Sequence, residues 1–125
     1  MAAPNIVAVT TLTGKTAAFS LSDTSPTTIL SNAASSNYVY KINSIIVAND
    51  DGTNSADITI TYNDAAAGAG TGYKIASTVA VAANSTLVVL DKASSIYLEE
   101  DKSIVATASA GDDLDVVISY EEIID

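Results

Sequence analysis

The chain has 125 residues, no cysteine, no histidine and a formal net charge of −10 at pH 7. This predicts a single domain, residues 1–125, that is held by packing rather than by disulfides or thiolate metal sites, with no nucleophile–base pair built on Cys or His. The negative charge disfavours nucleic acid as a partner, and the lack of a basic leader or of an apolar run of about 20 residues predicts a soluble chain without signal peptide or membrane span.

Strand patterns begin at the N-terminus, whereas helical spacing of apolar residues is nearly absent. The segments "NIVAVTTLT" and "KTAAFSLS" flank Gly14 and predict an opening hairpin. A short strand is predicted at Thr27 to Leu30, after Pro26. "YVYKINSIIVAN" carries bulky apolar residues on both faces, which predicts a central strand.

The second half continues the strand pattern. "DITITYN" predicts Ile58, Ile60 and Tyr62 facing inward and Asn63 facing outward. "DAAAGAGTG" has too much glycine for a helix and predicts a mobile loop. Further strands are predicted in "YKIASTVAVAAN", "STLVVLD", "SIYLE", "KSIVATAS" and "LDVVISYEEI", the last two joined as a hairpin through "AGDD". The total of eight to ten strands predicts an all-β fold, an antiparallel β-sandwich of jelly-roll-like or Ig-like type.

Acidic residues are concentrated near the C-terminus, where Ser95 to Ile123 holds eight of the fifteen. A carboxylate pair for acid/base catalysis needs a cleft that desolvates one of its members. These acids fall at predicted turns, so we expect solvated turn residues and no enzyme activity.

Calcium is the stronger chemical alternative, because "NDDGTNSAD" and "AGDDLD" offer hard oxygen ligands. The candidate ligands are Asp50, Asp51, Asp57, Asp112, Asp113 and Asp115. Neither segment fits an EF-hand, and Asp-Gly and Gly-Asp-Asp are typical of tight turns. The expectation is therefore no metal and no other cofactor, with calcium kept as an alternative.

Six tyrosines raise the alternative of a carbohydrate-stacking platform. The alternation predicts Tyr62 and Tyr120 in the core, with their hydroxyls at its rim. Tyr73, beside the glycine-rich loop, and Tyr97 are predicted as surface anchors.

Charge is distributed unevenly along the chain. Residues 1–49 carry two lysines against one acid, and residues 50–125 carry three lysines against fourteen acids. A near-neutral front part could therefore lie against an anionic partner that the rest would repel.

Three stretches together span most of the chain: "VTTLTGKTAAFSL", "YKINSIIVANDDGTNSADITITYND" and "SIYLEEDKSIVATASAGDDLDVVISYEEI". With "GYKIAST" after the glycine loop, they resemble small virion structural proteins of tailed bacteriophages, particularly phages of marine cyanobacteria. The resemblance implies a capsid decoration or cement protein on the outer capsid surface of the virion. Its implied partner is the major capsid protein, and a dimer or trimer is the homo-oligomer to be considered. The charge and the lack of a long apolar run predict neither nucleic acid nor membrane as a partner.

Two alternatives stay open beside decoration: a neck, collar, baseplate or fibre component of the tail, and a carbohydrate- or calcium-binding β-module. For docking to a capsid, residues 1–13 form the expected arm or edge strand, because the segment is uncharged and extended. The predicted partner-binding residues are Ile6, Val7, Val9, Leu12 and Tyr73.

Overall fold

A computed structural model describes residues 4–124, which form nine β-strands and two short 3₁₀ turns. The strands are β1 (Thr11–Leu21), β2 (Thr27–Asn32), β3 (Tyr38–Asn49), β4 (Ala56–Asn63), β5 (Gly72–Val81), β6 (Thr86–Leu90), β7 (Ile96–Leu98), β8 (Lys102–Ala108) and β9 (Leu114–Ile124). The 3₁₀ turns are Ala66–Gly68 and Lys92–Ser94. The predicted all-β class and strand number are confirmed. None of the helices in residues 4–124 has the length and apolar character needed to span a membrane.

Two antiparallel sheets enclose the core. The first sheet has the order β1-β9-β3-β6, with β7 also paired to β3, and the second has the order β2-β8-β4-β5. β1 lies beside β2 at one side of the sandwich, and β5 lies beside β6 at the other. Aliphatic side chains fill the space between the sheets, and Tyr62 and Tyr120 pack partly buried against them, as predicted.

The prediction that β3 is central is confirmed, because it pairs with β9 on one side and with β6 and β7 on the other. Its pairing with β9 shifts register between Ile42 and Ser44, which leaves Asn43 as an extra residue. A bulge of this kind changes which alternate residues face inward. Ile42 and Ile45 are therefore both fully buried in the core.

The predicted hairpin at Gly14 is wrong, because β1 runs straight through that residue. Gly14 pairs with Glu121 of β9, within a register that is continuous from Thr11 to Leu21. A Cβ placed on Gly14 would meet nothing within 4 Å. β1 therefore contains Thr11 to Thr13 of the first predicted strand and continues through Gly14 into the second, whereas residues 5–10, predicted as strand, lie outside any strand.

The predicted hairpin between β8 and β9 is also wrong. β8 pairs with β2 and β4 in the second sheet, and β9 pairs with β1 and β3 in the first. Their apolar residues face the same core from opposite sides, so "AGDD" carries the chain from one sheet to the other. The crossing is held by the Asp112 N–H, which donates to the Leu21 carbonyl at 2.9 Å.

The segment from Asp64 to Thr71 is not the mobile loop that its glycines predict, because hydrogen bonds tie it to the second sheet. The Ala67 N–H donates to Ser31 Oγ, and the Gly68 N–H donates to Ser103 Oγ, both at 2.9 Å. Asn63, predicted to face solvent, is buried beneath the segment, and its Nδ2 donates to the Gly68 and Ala69 carbonyls.

Candidate functional site

The two ends of the sandwich differ in charge. One end, here called the acidic end, holds the loops after β1, β3 and β8 together with the first residues of β4 and β9. Its charged residues are seven acids and no lysine: Asp23, Asp50, Asp51, Asp57, Asp112, Asp113 and Asp115. Charge in the folded molecule therefore differs between the two ends of the sandwich, and not between the first and second parts of the chain as the sequence suggested.

The two predicted calcium segments meet at the acidic end, where the Asp50 N–H donates to the Asp113 carbonyl at 2.9 Å. Asp51 caps its own turn: its Oδ1 accepts from the N–H groups of Thr53 and Asn54, and these bonds lower the pKa of its carboxyl. Desolvation, followed by the charges of Asp51, Asp50 and Asp112, raises the pKa of Asp113.

Across residues 4–124, no three acidic side chains are placed to share a metal ion. The six candidate calcium ligands thus lie at one end of the molecule, and no three of their carboxylates converge. The geometry of Asp51 assigns it a turn-forming role.

The opposite end, here called the groove end, carries lysines that offset most of its acids. Six of its described residues are acidic and four are lysines: Asp64, Glu99, Glu100, Asp101, Glu121 and Glu122, with Lys15, Lys41, Lys74 and Lys102. Lys15 Nζ lies 3.2 Å from Glu122 Oε2, the one salt bridge found in the described chain. At this end the first sheet also presents apolar residues on its outer face.

An apolar row crosses that outer face. Leu12 of β1 pairs with Ile123 of β9, and Ile123 pairs with Val39 of β3. Ile123 and Val39 are only 4% and 5% exposed, although neither belongs to the core cluster between the sheets. A second small apolar cluster therefore lies outside the sandwich core.

An open groove of about 270 Å³ lies over this cluster, lined by Pro4, Ile6, Val39, Tyr97 and Glu99. The N-terminal segment forms one wall of the groove through a turn, in which the Ala8 N–H donates to the Asn5 carbonyl at 3.2 Å. Glu99 is the single carboxylate among the lining residues, so the groove does not offer the paired carboxylates of acid/base catalysis. The other four lining residues are apolar or aromatic.

Of the five predicted partner-binding residues, Ile6 lines the groove, Val7 and Val9 belong to the same N-terminal segment, and Leu12 pairs with Ile123. Ile6, Val7 and Leu12 are 51%, 92% and 55% exposed, and Val9 is half-buried. Met1 to Ala3, the first residues of the predicted arm, lie outside the described part of the chain.

Tyr73 is not brought together with those four. It is exposed, as predicted, but it lies on β5, at the side of the sandwich opposite β1. Tyr97, the other predicted surface anchor, lines the groove instead. Pro4 and Val39 were missed, because only the sheet register reveals that Val39 faces outward beside Ile123.

Tyrosine rings close the sandwich at the groove end. The Tyr40 ring lies 6.0 Å from that of Tyr38 and 5.4 Å from that of Tyr120, measured between centroids. Burial, with the nearby charge of Glu122 as the next cause, raises the pKa of Tyr40. These contacts assign the three rings a packing role rather than a sugar-stacking one.

Comparisons with known proteins support the β-sandwich fold but do not assign the chain to a family. No protein-family model matches the chain, and no curated protein matches it. A structure described as "Bacillus endospore appendages form a novel family of disulfide-linked pili" is similar over 92% of this chain and 90% of that one, with 15% identity and a TM-score of 0.54. A "Cyanophage Pam1 capsid asymmetric unit" aligns over 92% and 84% of the two chains, with 12% identity and a TM-score of 0.34, too low to establish a common fold. The chain therefore has the β-sandwich fold of the first of these structures.

Proposed function

We propose that this chain is a phage virion structural protein, a decoration or cement subunit that binds the outer surface of the major capsid lattice and stabilises the shell. It acts by contact area and carries out no reaction. The proposal starts from the resemblance of the sequence to small virion proteins, and the charge distribution of the fold supports one docking orientation.

The observation that carries the proposal is the contrast between the two ends. The groove end combines exposed apolar residues, Ile6, Val7 and Tyr97, with lysines that offset its acids. The acidic end has seven acids and no lysine, so it is the more strongly hydrated and the more strongly repelled by DNA. Docking by the groove end directs the acidic end away from the shell.

Location is tested by cryo-electron microscopy of the particle that carries this chain. We expect many copies in the outer shell, each with the groove end toward the capsid protein. A few copies confined to the neck or tail would contradict decoration and support a tail component. Density oriented with the acidic end toward the capsid would contradict the docking surface.

The docking surface is tested with capsid shells that lack this chain, to which purified protein is added back. Ile6→Asp and Tyr97→Asp place a charge in the groove, and we expect each to weaken binding at least about tenfold. Val88→Asp is the matched control, because Val88 is exposed to a similar degree and pairs with Ile46, seven residues along β3 from the Val39 that lines the groove. Equal binding by all four proteins would contradict docking through the groove.

Tyr73 is tested separately because it lies on the other side of the molecule. If the capsid also contacts β5, Tyr73→Ala should weaken binding by itself, and the double variant with Ile6→Asp should bind more weakly than either single variant. Unchanged binding by Tyr73→Ala would remove this residue from the proposed interface and leave the groove residues in place.

A further inference from the structure

The free strand edges of the described chain are protected to very different degrees. β2 has six residues, a register shift between Thr28 and Leu30, and a cover formed by the 3₁₀ turn at Ala66–Gly68. β5 has two register shifts against β4, and β6 has only five residues. Short, irregular or covered edges are the means by which proteins prevent unwanted strand pairing.

β1 has none of these protections. Its eleven residues pair with β9 in an unbroken register, and no other strand in residues 4–124 pairs with its outer edge. It contains no acid and no proline, and its one charged side chain, Lys15, is bound to Glu122. From Thr11 to Thr16 every residue is exposed. A long, regular and nearly uncharged edge is a template for another strand.

We propose that two copies of this chain associate through β1, pairing antiparallel about a two-fold axis so that the two first sheets become one continuous sheet. A second copy of the chain is the partner that fits this edge. Its own β1 has the same length and the same backbone N–H and C=O groups without a strand partner. A two-fold interface needs a self-complementary surface. The centre of β1 meets that condition, because Thr16, Ala17 and Ala18 are small and uncharged and the charge of the neighbouring Lys15 is paired with Glu122 of its own chain. This inference does not rest on the proposed capsid function.

Charge favours this edge for self-association. Two chains of net charge −10 repel each other, so their contact must lie where acids are absent. The nearest acids on the first sheet are on β9, and in the paired molecules the two β9 strands lie three strand spacings apart, about 14 Å. That separation exceeds the Debye length of about 8 Å at physiological ionic strength but is shorter than the roughly 30 Å at 0.01 M salt. The acids therefore repel each other mainly at low salt, and association should become tighter as salt is added, opposite to the behaviour of a contact made by complementary charges.

The first test is sedimentation velocity of the isolated chain at low and high salt. We expect a monomer–dimer equilibrium that shifts toward the dimer with salt. Thr16→Glu places like charges near the two-fold axis and should weaken the dimer at least about tenfold. Ser77→Glu adds the same charge to β5, an edge strand of the other sheet, and should leave the dimer unchanged.

A chain that stays monomeric up to about 1 mM at high salt would overturn the proposal. So would a dimer that Ser77→Glu weakens as much as Thr16→Glu does. Circular dichroism of both variants establishes that a lost dimer is not a lost fold.

The second test uses the absence of cysteine from the chain. Single cysteines are placed in turn at residues 13–18 and oxidised. Paired residues of antiparallel strands have Cα atoms about 4.5–5.5 Å apart, within the range that a disulfide spans. We expect a covalent dimer at one position or two neighbouring positions and none for Ser77→Cys. Crosslinking equal to that of Ser77→Cys throughout the scan would contradict pairing through β1.

Discussion

At the scale of single residues, three buried asparagines fasten the ends of strands. Asn32, Asn49 and Asn63 are the last residues of β2, β3 and β4, and each Nδ2 donates to two backbone carbonyls. Asn32 joins the two sheets, because its bonds reach Tyr38 of β3 at 2.9 Å and Leu98 of β7 at 3.1 Å. The alternation predicted Asn63 on the outer face, since a period of two does not distinguish a buried amide from an exposed one.

Asn32→Asp tests the sheet-joining role. The carboxylate keeps the shape of the side chain but cannot donate to the two carbonyls, and Asn32 is fully buried. We expect the free energy of unfolding to fall by at least about 2 kcal/mol, measured by urea denaturation. Asn37→Asp is the control, because Asn37 is exposed near the same end of the sandwich. Equal stability of the two variants would show that the Asn32 bonds do not stabilise the fold.

At the scale of elements, the strands were predictable and their partners were not. Alternation of apolar and polar residues is local, so it located β3, β4 and β9 from the sequence. Pairing depends on residues far apart in the chain, and two predicted hairpins, at Gly14 and at "AGDD", were therefore wrong. Glycine content predicted mobility at residues 64–72, where hydrogen bonds to Ser31 and Ser103 instead hold a compact turn.

Alanine substitutions at two glycines should change the free energy of unfolding in opposite directions, because one glycine lies in a strand and the other in a turn. Gly14→Ala should raise the free energy of unfolding by about 0.5 kcal/mol, because the strand has room for a methyl group and alanine restricts the unfolded chain. A hairpin turn at Gly14 would instead make this substitution destabilising.

Gly68→Ala is the matched variant in the 3₁₀ turn. Gly68 has φ +76°, and a Cβ there would lie 2.7 Å from Thr28 Oγ1. We expect a loss of about 2 kcal/mol in the same denaturation measurement, because the backbone conformation is unfavourable and the methyl group is crowded. A Gly68→Ala protein as stable as the original would contradict the described turn.

At the scale of the whole molecule, the fold gathers seven acids at one end and places the lysines named above at the other.

Two acids of the acidic end, Asp51 and Asp113, affect the pH dependence of stability in opposite directions. The lowered pKa of Asp51 contributes stability above its ordinary pKa of 3.8, and this is lost as the pH falls through the lower folded value. Because the pKa of Asp113 is raised, its charged form lowers the stability of the folded state at neutral pH. This destabilisation decreases as the pH falls through the raised value and is absent below 3.8.

Asp113→Asn tests the crowding of charge at the acidic end. The substitution removes a carboxylate that burial and three neighbouring acids disfavour, so we expect a higher midpoint of thermal unfolding at pH 7. The difference should disappear near pH 3, where the carboxyl is protonated in both states. Glu100→Gln removes the same charge at the groove end and should give a smaller change. A lower midpoint for Asp113→Asn at pH 7 would contradict repulsion among these acids.

The sequence by itself determined the all-β class, the approximate number of strands, the central place of β3 and the core positions of Tyr62 and Tyr120, because each follows from local alternation. Only the tertiary structure decided which strands share a sheet, where the acids gather and how Pro4, Val39 and Tyr97 come to line one groove. These features join residues up to about a hundred positions apart, and their positions depend on the pairing of β9 with both β1 and β3. The free edge of β1 arises in the same way, since a strand becomes an edge only when the whole sheet has been ordered.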